Sequence, residues 1–179
     1  MINIKKIAAG LAIAAALTGA ATALPSVTQS ASAARLSGYI HDDSQYNGGY
    51  RWYEDGKLYT GFRYYMGTYY WFVDGVRQNA GWRQAWGLKY YTDNNGRAVQ
   101  GNYVINGHAY NFGNDGTYYL RGNASGYLHD GSPANGGYRW YENGTPYTGF
   151  RFYMGTYYWF VNGVRQNAGW REAWGYKYY

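Results

Sequence analysis

From residue 38 onward the chain is a succession of short runs in which apolar and polar residues alternate, each closed by a glycine-containing turn. The runs are rich in Tyr, Trp, Phe and Val, the period and composition of half-buried β-strands. Across 50–53 the alternation sets Tyr50 and Trp52 on one face and Arg51 and Tyr53 on the other. The aromatic runs at 50–53, 69–72, 90–91 and 110–112 lead to the pairs Asp55-Gly56, Asp74-Gly75, Asn95-Gly96 and Asp115-Gly116. Such dipeptides accept the positive φ values of a type I′ hairpin turn. A second short run then reaches Gly61, Gly81, Gly101 or Gly122, so the pattern predicts one β-hairpin per roughly 20 residues. A single short turn of helix in 79–86 is the only helical expectation, limited by Gly81 and Gly87.

One hairpin alone is marginal in water, so each must bury its rings against the next. The expected fold is therefore all-β, a solenoid of tandem β-hairpin repeats. A longer period lies over the short one: residues 38–91 recur at 126–179 with a constant offset of 88, and about 43 of 54 positions are identical. GGYRWYE at 48–54 returns at 136–142, and MGTYYWF at 66–72 returns at 154–160. The predicted organisation is a signal peptide over 1–33, a short linker over 34–37, a first block of four hairpin units over 38–125, and a second, incomplete block over 126–179.

The signal peptide is read from Lys5 and Lys6, the apolar run 7–17 and the small residues ending Ala31-Ser32-Ala33. Cleavage is expected after Ala33, with Ala21-Thr22-Ala23 as the alternative. The run is too short to span a bilayer, and no later apolar stretch reaches the roughly 18 residues a spanning helix needs. The expectation is a secreted protein, peripheral to the cell wall and not membrane-spanning.

Composition changes the picture of the core. The chain holds 25 Tyr, 8 Trp and 6 Phe, all after the signal region, beside about 13 Leu, Ile and Val in the same part. Rings must therefore supply both core and surface, whereas an ordinary core is aliphatic. Cysteine is absent, which excludes disulfides and thiolate chemistry and leaves stability to the stacking of repeats. The formal charge of +6 falls to about +4 without Lys5 and Lys6 and is spread thinly. That suits contact with an anionic polymer such as teichoic acid but lacks the concentrated patch of a nucleic-acid reader, so no nucleic-acid partner is expected.

Two segments carry a family resemblance: YYTDNNGRAVQG at 90–101 and YNFGNDG at 110–116, with the element INGHAY at 105–110 before the latter. They resemble the cell-wall-binding and glucan-binding repeats, a family that takes in choline-binding repeats and the YG-type repeats of glucansucrases. The resemblance implies a left-handed solenoid of hairpins with ligands held between successive hairpins, at the surface of a Gram-positive bacterium. It implies binding and no turnover. In choline binders the site is an aromatic cage that holds a quaternary ammonium by cation–π attraction. In glucan binders a ring offers a flat platform to a sugar face while amides and hydroxyls fix the hydroxyl groups. This chain departs from the pattern in the units ending at Gly61 and Gly81, where the spacing from aromatic pair to turn glycine is shorter, as in Trp71–Gly75. The leader over 38–49, with His41-Asp42-Asp43, has no counterpart in the short repeat.

Residues matching the family's aromatic positions are the candidate ligand-binding set: Trp52, Trp71, Trp82, Tyr91 and Tyr110, with Trp140, Trp159 and Trp170 as second-copy partners of the first three. Any single one of them can instead be packing hairpin on hairpin; as a set they exceed what a thin solenoid core buries. Gln78, Asn79, Gln166 and Asn167 are candidate partners for hydroxyl groups, or solvated turn residues. For catalysis the supply is poor. Glu54 and Glu142 are copies of each other, as are His41 and His129, and two full catalytic sites in thin hairpins would lack an enclosing pocket. His41-Asp42-Asp43 has no second ligand cluster, so neither metal nor cofactor is expected.

The expected function is non-catalytic carbohydrate binding at the cell surface, the ligand an α-glucan or another wall polysaccharide. Three alternatives stay open: binding to choline-substituted teichoic acid, a targeting fragment of a glucansucrase or peptidoglycan hydrolase, and an adhesive protein that self-associates through its solenoid ends. The short linker is expected to leave no room for a catalytic domain ahead of Gly38.

Overall fold

The structure is a computed structural model that describes residues 36–179; the signal-peptide and cleavage-site expectations lie outside the described residues. Two compact units are present: one holds residues up to Arg63 together with Tyr70–Gln78, the other Tyr64–Tyr69 together with Asn79–Tyr179. Both are all-β, and the described residues contain one short 3-10 turn, Asn135–Gly137.

The strands form small antiparallel sheets that follow one another in chain order, and none closes into a barrel. In the first unit β1 (Gly38–His41), β2 (Tyr50–Glu54) and β3 (Lys57–Leu58) make a three-stranded meander. The hairpin of β4 (Gly61–Tyr65), β5 (Thr68–Val73) and β6 (Val76–Arg77) gives its base to this unit and its tip to the second. The second unit continues with β7 (Gly81–Ala85) and β8 (Leu88–Thr92), then β9 (Asn102–Ile105), β10 (His108–Asn111) and β11 (Gly122–Asn123). Next come β12 (Gly126–His129), β13 (Tyr138–Glu142) and β14 (Thr145–Pro146). The last strands are β15 (Gly149–Tyr153), β16 (Thr156–Val161) and β17 (Val164–Arg165), and finally β18 (Arg171–Ala173) and β19 (Tyr176–Tyr178).

The expected helical turn in 79–86 is not formed. Gly81–Ala85 is a strand whose residues alternate between half-buried and exposed, and pairing with β8 in the register Gly81↔Thr92 wins over any local helix.

Turn chemistry follows the sequence in part. Asp55-Gly56 and Asp74-Gly75 have φ of 49° and 74°, and of 47° and 75°, as type I′ demands. Asn95 and Asp115, predicted to begin turns of the same type, keep negative φ. A side chain takes over locally in each case: Asp93 Oδ1 accepts the N–H groups of Asn95 and Arg97 at 2.9 and 2.8 Å, and Asp115 Oδ1 accepts the Thr117 hydroxyl at 2.6 Å. Other two-residue turns of the I′ kind begin with bulky residues, at Met66-Gly67, Trp86-Gly87, Met154-Gly155 and Trp174-Gly175, where the first residue has φ between 46° and 52°. A left-handed conformation costs a side chain of this kind about 1–2 kcal/mol, so the sequence gives little warning of these turns.

At three places a sheet is joined to the one before it by its own turn glycine. Gly163 donates its N–H to the Tyr147 carbonyl at 2.7 Å and accepts from the Trp140 N–H at 2.8 Å; Gly75 does the same with Tyr59 and Trp52, both at 2.8 Å. Gly144 bridges Ala124 and Ala109 in the same manner, again at 2.8 Å. A Cβ on Gly163 would lie 2.9 Å from both Arg139 Cβ and the Trp140 carbonyl oxygen, so the close approach as well as the positive φ requires glycine.

Rings do form the core. Phe72, Phe112, Tyr141 and Phe160 are fully buried, and Phe62, Tyr70 and Tyr90 nearly so. Val99, Ile105 and Phe112 make one cluster with Tyr91, Tyr103, Tyr110 and Leu120 against it; Ala109, Ala124 and Tyr141 make another. The buried Thr92 side chain donates its hydroxyl to the Asn79 carbonyl at 2.8 Å and is thereby satisfied.

Candidate functional site

The clearest convergence of predicted residues is in the second unit. β7 places Trp82 and β8 places Tyr91 directly across from it in the register Trp82↔Tyr91, with ring centroids 5.3 Å apart and planes at 69°. β10 of the next sheet brings Tyr110 to 5.1 Å from Trp82 at 84°. Buried Phe112 lies beneath, 5.9 Å from Trp82 and 6.4 Å from Tyr110. Trp82 remains 42% exposed, so part of the indole is open to a ligand while two tyrosines pack near-perpendicular to it. Tyr103 packs 6.0 Å from Tyr91, and its phenol is pushed up by burial and then by the nearby Asp93 carboxylate and Tyr91.

The remaining predicted residues are distributed differently. Trp52 stacks on Tyr39 at 6.4 Å and 26°, over buried Phe72 at 5.3 Å. Its second-copy partner Trp140 repeats this with Tyr127 and Phe160 and lies 5.8 Å from Tyr153. Trp71 meets Phe62 edge-on at 4.8 Å. Trp159 meets Phe150 at the same distance, and Phe150 also touches Trp174 and Tyr178. Trp170 is 70% exposed, with Tyr179 at 5.3 Å. The sequence reading passed over Tyr39, Tyr127, Tyr153 and Trp174. Strand alternation tells which face a ring takes and leaves open which neighbouring hairpin it meets.

Of the candidate polar partners, the two glutamines are taken up by local backbone bonds, and Asn79 and Asn167 are exposed. Gln78 Nε2 donates to the Val76 carbonyl and Gln166 Nε2 to that of Val164, both at 2.9 Å, while the Asn79 carbonyl accepts from Arg83 and Thr92. Acidic groups are held in structural pairs. Asp42 Oδ2 accepts from Arg51 Nε at 2.5 Å and from the Tyr53 hydroxyl at 2.6 Å. The Tyr53 hydrogen bond, aided by Arg51, lowers its pKa to about 2 against the cost of burial. Asp130 repeats the arrangement with Arg139 and Tyr141; burial opposes its charge, yet the bonds from Tyr141, Ser132 and Arg139 still bring it to about 2. Burial and the bond to Asp130 push the Tyr141 phenol up to about 12. Glu54 pairs with Arg63, and Glu142 with Arg151. Arg63 and Arg151 lie flat over Tyr59 and Tyr147 at 3.6 and 3.7 Å. Chemically these carboxylates lock the leader and the hairpin bases in place.

Among the described residues no group of three or more His, Asp or Glu is placed to hold a metal, and no helix is long and apolar enough to cross a membrane. Two open hollows of about 500 Å³ each occur, one lined by Glu54–Thr60 and one by Trp170, Arg171, Glu172 and Lys177; neither covers the Trp82 cluster.

No family model matches the chain, and no curated protein matches it. Solved structures similar to it include choline binding protein F from Streptococcus pneumoniae, 22% identical with a TM-score of 0.38, covering 73% of this chain and 45% of that one. CbpJ from Streptococcus pneumoniae TIGR4 is 19% identical with a TM-score of 0.41, covering 80% and 50%. An alternansucrase in complex with isomaltononaose is 21% identical with a TM-score of 0.24, covering 80% and 14%. The chain thus spans half or less of each, and the repeat family that its motifs resemble is represented among them.

Proposed function

We propose that the protein is a non-catalytic repeat protein of the cell surface that binds α-glucan or another wall polysaccharide through rings held between successive hairpins. The observation that carries this reading is the Trp82 cluster. A half-open indole, buttressed at 5.1–5.3 Å by Tyr91 and Tyr110 from two different sheets and floored by Phe112, is a rigid apolar platform of the size of one sugar ring. Holding the rings in place beforehand removes the ordering entropy that a flexible surface would lose on binding. Asp42, Glu54, Asp130 and Glu142 are tied to arginines that serve the fold, which favours binding over turnover. The signal-peptide pattern and the excess of positive charge fit a secreted protein that meets anionic wall polymers.

A second reading, a choline-substituted teichoic acid, is favoured by the near-perpendicular stance of Tyr91 and Tyr110 to Trp82, at 69° and 84°, which gives a cation three walls. Pull-down on dextran, mutan, choline resin and purified cell walls, side by side, separates the two. Retention on dextran or mutan with release by soluble α-glucan supports the first reading; elution by free choline with no response to glucan replaces it with the second.

A further inference from the structure

The ring cluster is continued on one side by a chain of polar side chains whose hydrogen bonds run in one direction. β10 carries His108 two residues before Tyr110, and the two rings lie 4.5 Å apart. His108 Nε2 is 2.9 Å from Asn123 Oδ1, and Asn123 Nδ2 donates to Asn143 Oδ1 at 3.2 Å. The Asn123 amide is assigned with its NH₂ turned to Asn143 and its oxygen to His108. With that assignment Nε2 carries the hydrogen and donates, and in the neutral ring Nδ1 is left as an acceptor. At the other end Asn143 uses its oxygen for Asn123, while its backbone N–H donates to Ser125 Oγ at 2.8 Å; its NH₂ remains a donor. The imidazole is held from below as well, since a Cβ on Gly144 would lie 2.2 Å from His108 Nε2. Asn123 and Asn143 are both exposed.

We propose that His108, Asn123 and Asn143 are the hydroxyl-reading edge of the Trp82–Tyr91–Tyr110 platform, an inference that rests on the carbohydrate reading above. A sugar stacked on the rings presents hydroxyl groups at its rim, and each hydroxyl both donates and accepts. One can donate to His108 Nδ1 and another accept from Asn143 Nδ2, while Asn123 sets the polarity of both. The trimethylammonium head of choline has no N–H to give and no lone pair to offer, so this edge adds nothing to the hold on the cationic head itself. The platform supplies apolar contact and the edge supplies selection among polymers that differ in hydroxyl pattern.

The test uses purified protein and a dextran-derived isomalto-oligosaccharide, titrated calorimetrically against wild type, Asn143→Asp, His108→Phe and Trp82→Ala. Asn143→Asp is the cleanest variant, because the matching turn of the first copy already carries Asp55 and forms the same I′ geometry. It keeps the oxygen that Asn123 needs and removes the donor. Loss of one hydrogen bond is expected to weaken binding by about three- to tenfold in Asn143→Asp and in His108→Phe, with affinity for tetramethylammonium, which has neither donor nor acceptor, not reduced. Wild-type affinity in both variants, alongside loss of binding in Trp82→Ala, would overturn the edge and leave the platform standing. A wild-type protein that binds no oligosaccharide overturns the carbohydrate reading, and the edge with it.

Discussion

Segments 81–91 and 169–179 differ at two positions, Gln84 against Glu172 and Leu88 against Tyr176, yet they end in different surroundings. In the first, Tyr110 from the following sheet closes on the Trp82–Tyr91 pair, leaving Trp82 42% exposed and Tyr91 half-buried. In the second, Trp170 and Tyr179 keep their mutual edge contact at 5.3 Å but are 70% and 80% exposed. The ladder shortens too: Gly81–Ala85 pairs with Leu88–Thr92 over five residues, whereas Arg171–Ala173 pairs with Tyr176–Tyr178 over three. A hairpin thus supplies half a site. The two rings it carries become a platform when the next hairpin contributes a third ring and a floor.

The comparison can be broken most severely from below. Phe112→Ala removes a fully buried ring from the cluster under Trp82 and should cost about 3–5 kcal/mol of stability by denaturant unfolding. A loss under about 1 kcal/mol would show that Trp82 does not depend on that floor. Next, Trp82→Ala should weaken glucan binding by about 1–3 kcal/mol and Trp170→Ala by less than about 0.5 kcal/mol, read by affinity electrophoresis. Equal losses would mean that a ring pair binds without its third member. The converse is to place a hairpin beside Trp170: a copy of residues 92–125 joined after Tyr179 should make the second pair resemble the first and raise the number of oligosaccharides bound per chain, measured calorimetrically. Unchanged stoichiometry would confine the platform to one place.

The smallest effect separates the two copies by pH. Asp42 and Asp130 both titrate near 2 in the folded protein, below the unfolded value of about 3.9. Their stabilisation is therefore complete above about pH 4 and is lost as pH falls toward 2. The Asp130 side chain is 1% exposed and that of Asp42 15%. Asp130→Asn should accordingly flatten the acid fall in melting temperature more than Asp42→Asn does. The reverse order, seen by calorimetry between pH 6 and 2, would put the tighter lock in the first copy.

Strand runs and half of the predicted turns were legible because alternation and Asp-Gly pairs are local signals. Asp42's role was not, since its partners Arg51 and Tyr53 lie beyond a glycine-rich loop. The turns at Met66 and Trp86 were missed because a bulky residue with positive φ defies propensity and is imposed by the paired strands on either side. In the site, the motifs selected Trp82, Tyr91 and Tyr110 together, and the fold joined them. Trp52 and Trp140 were selected by the same motifs, but their companions Tyr39 and Tyr127 come from the leader strand, which the short repeat does not contain. His108 and Asn123 gave no signal, as their pairing depends on β10 lying beside β11.

The turn glycines that bond to the preceding sheet also set how such a chain can change length. Gly75, Gly144 and Gly163 each have one amide and one carbonyl satisfied by a strand laid down earlier, much as a course of bricks is keyed to the course beneath it. Removing part of a hairpin would strand a buried pair of polar groups with no partner, while removing or copying a whole one moves every key together. Growth and loss are thereby confined to entire repeats, and the recurrence of residues 38–91 at an offset of 88 is a step of the permitted kind.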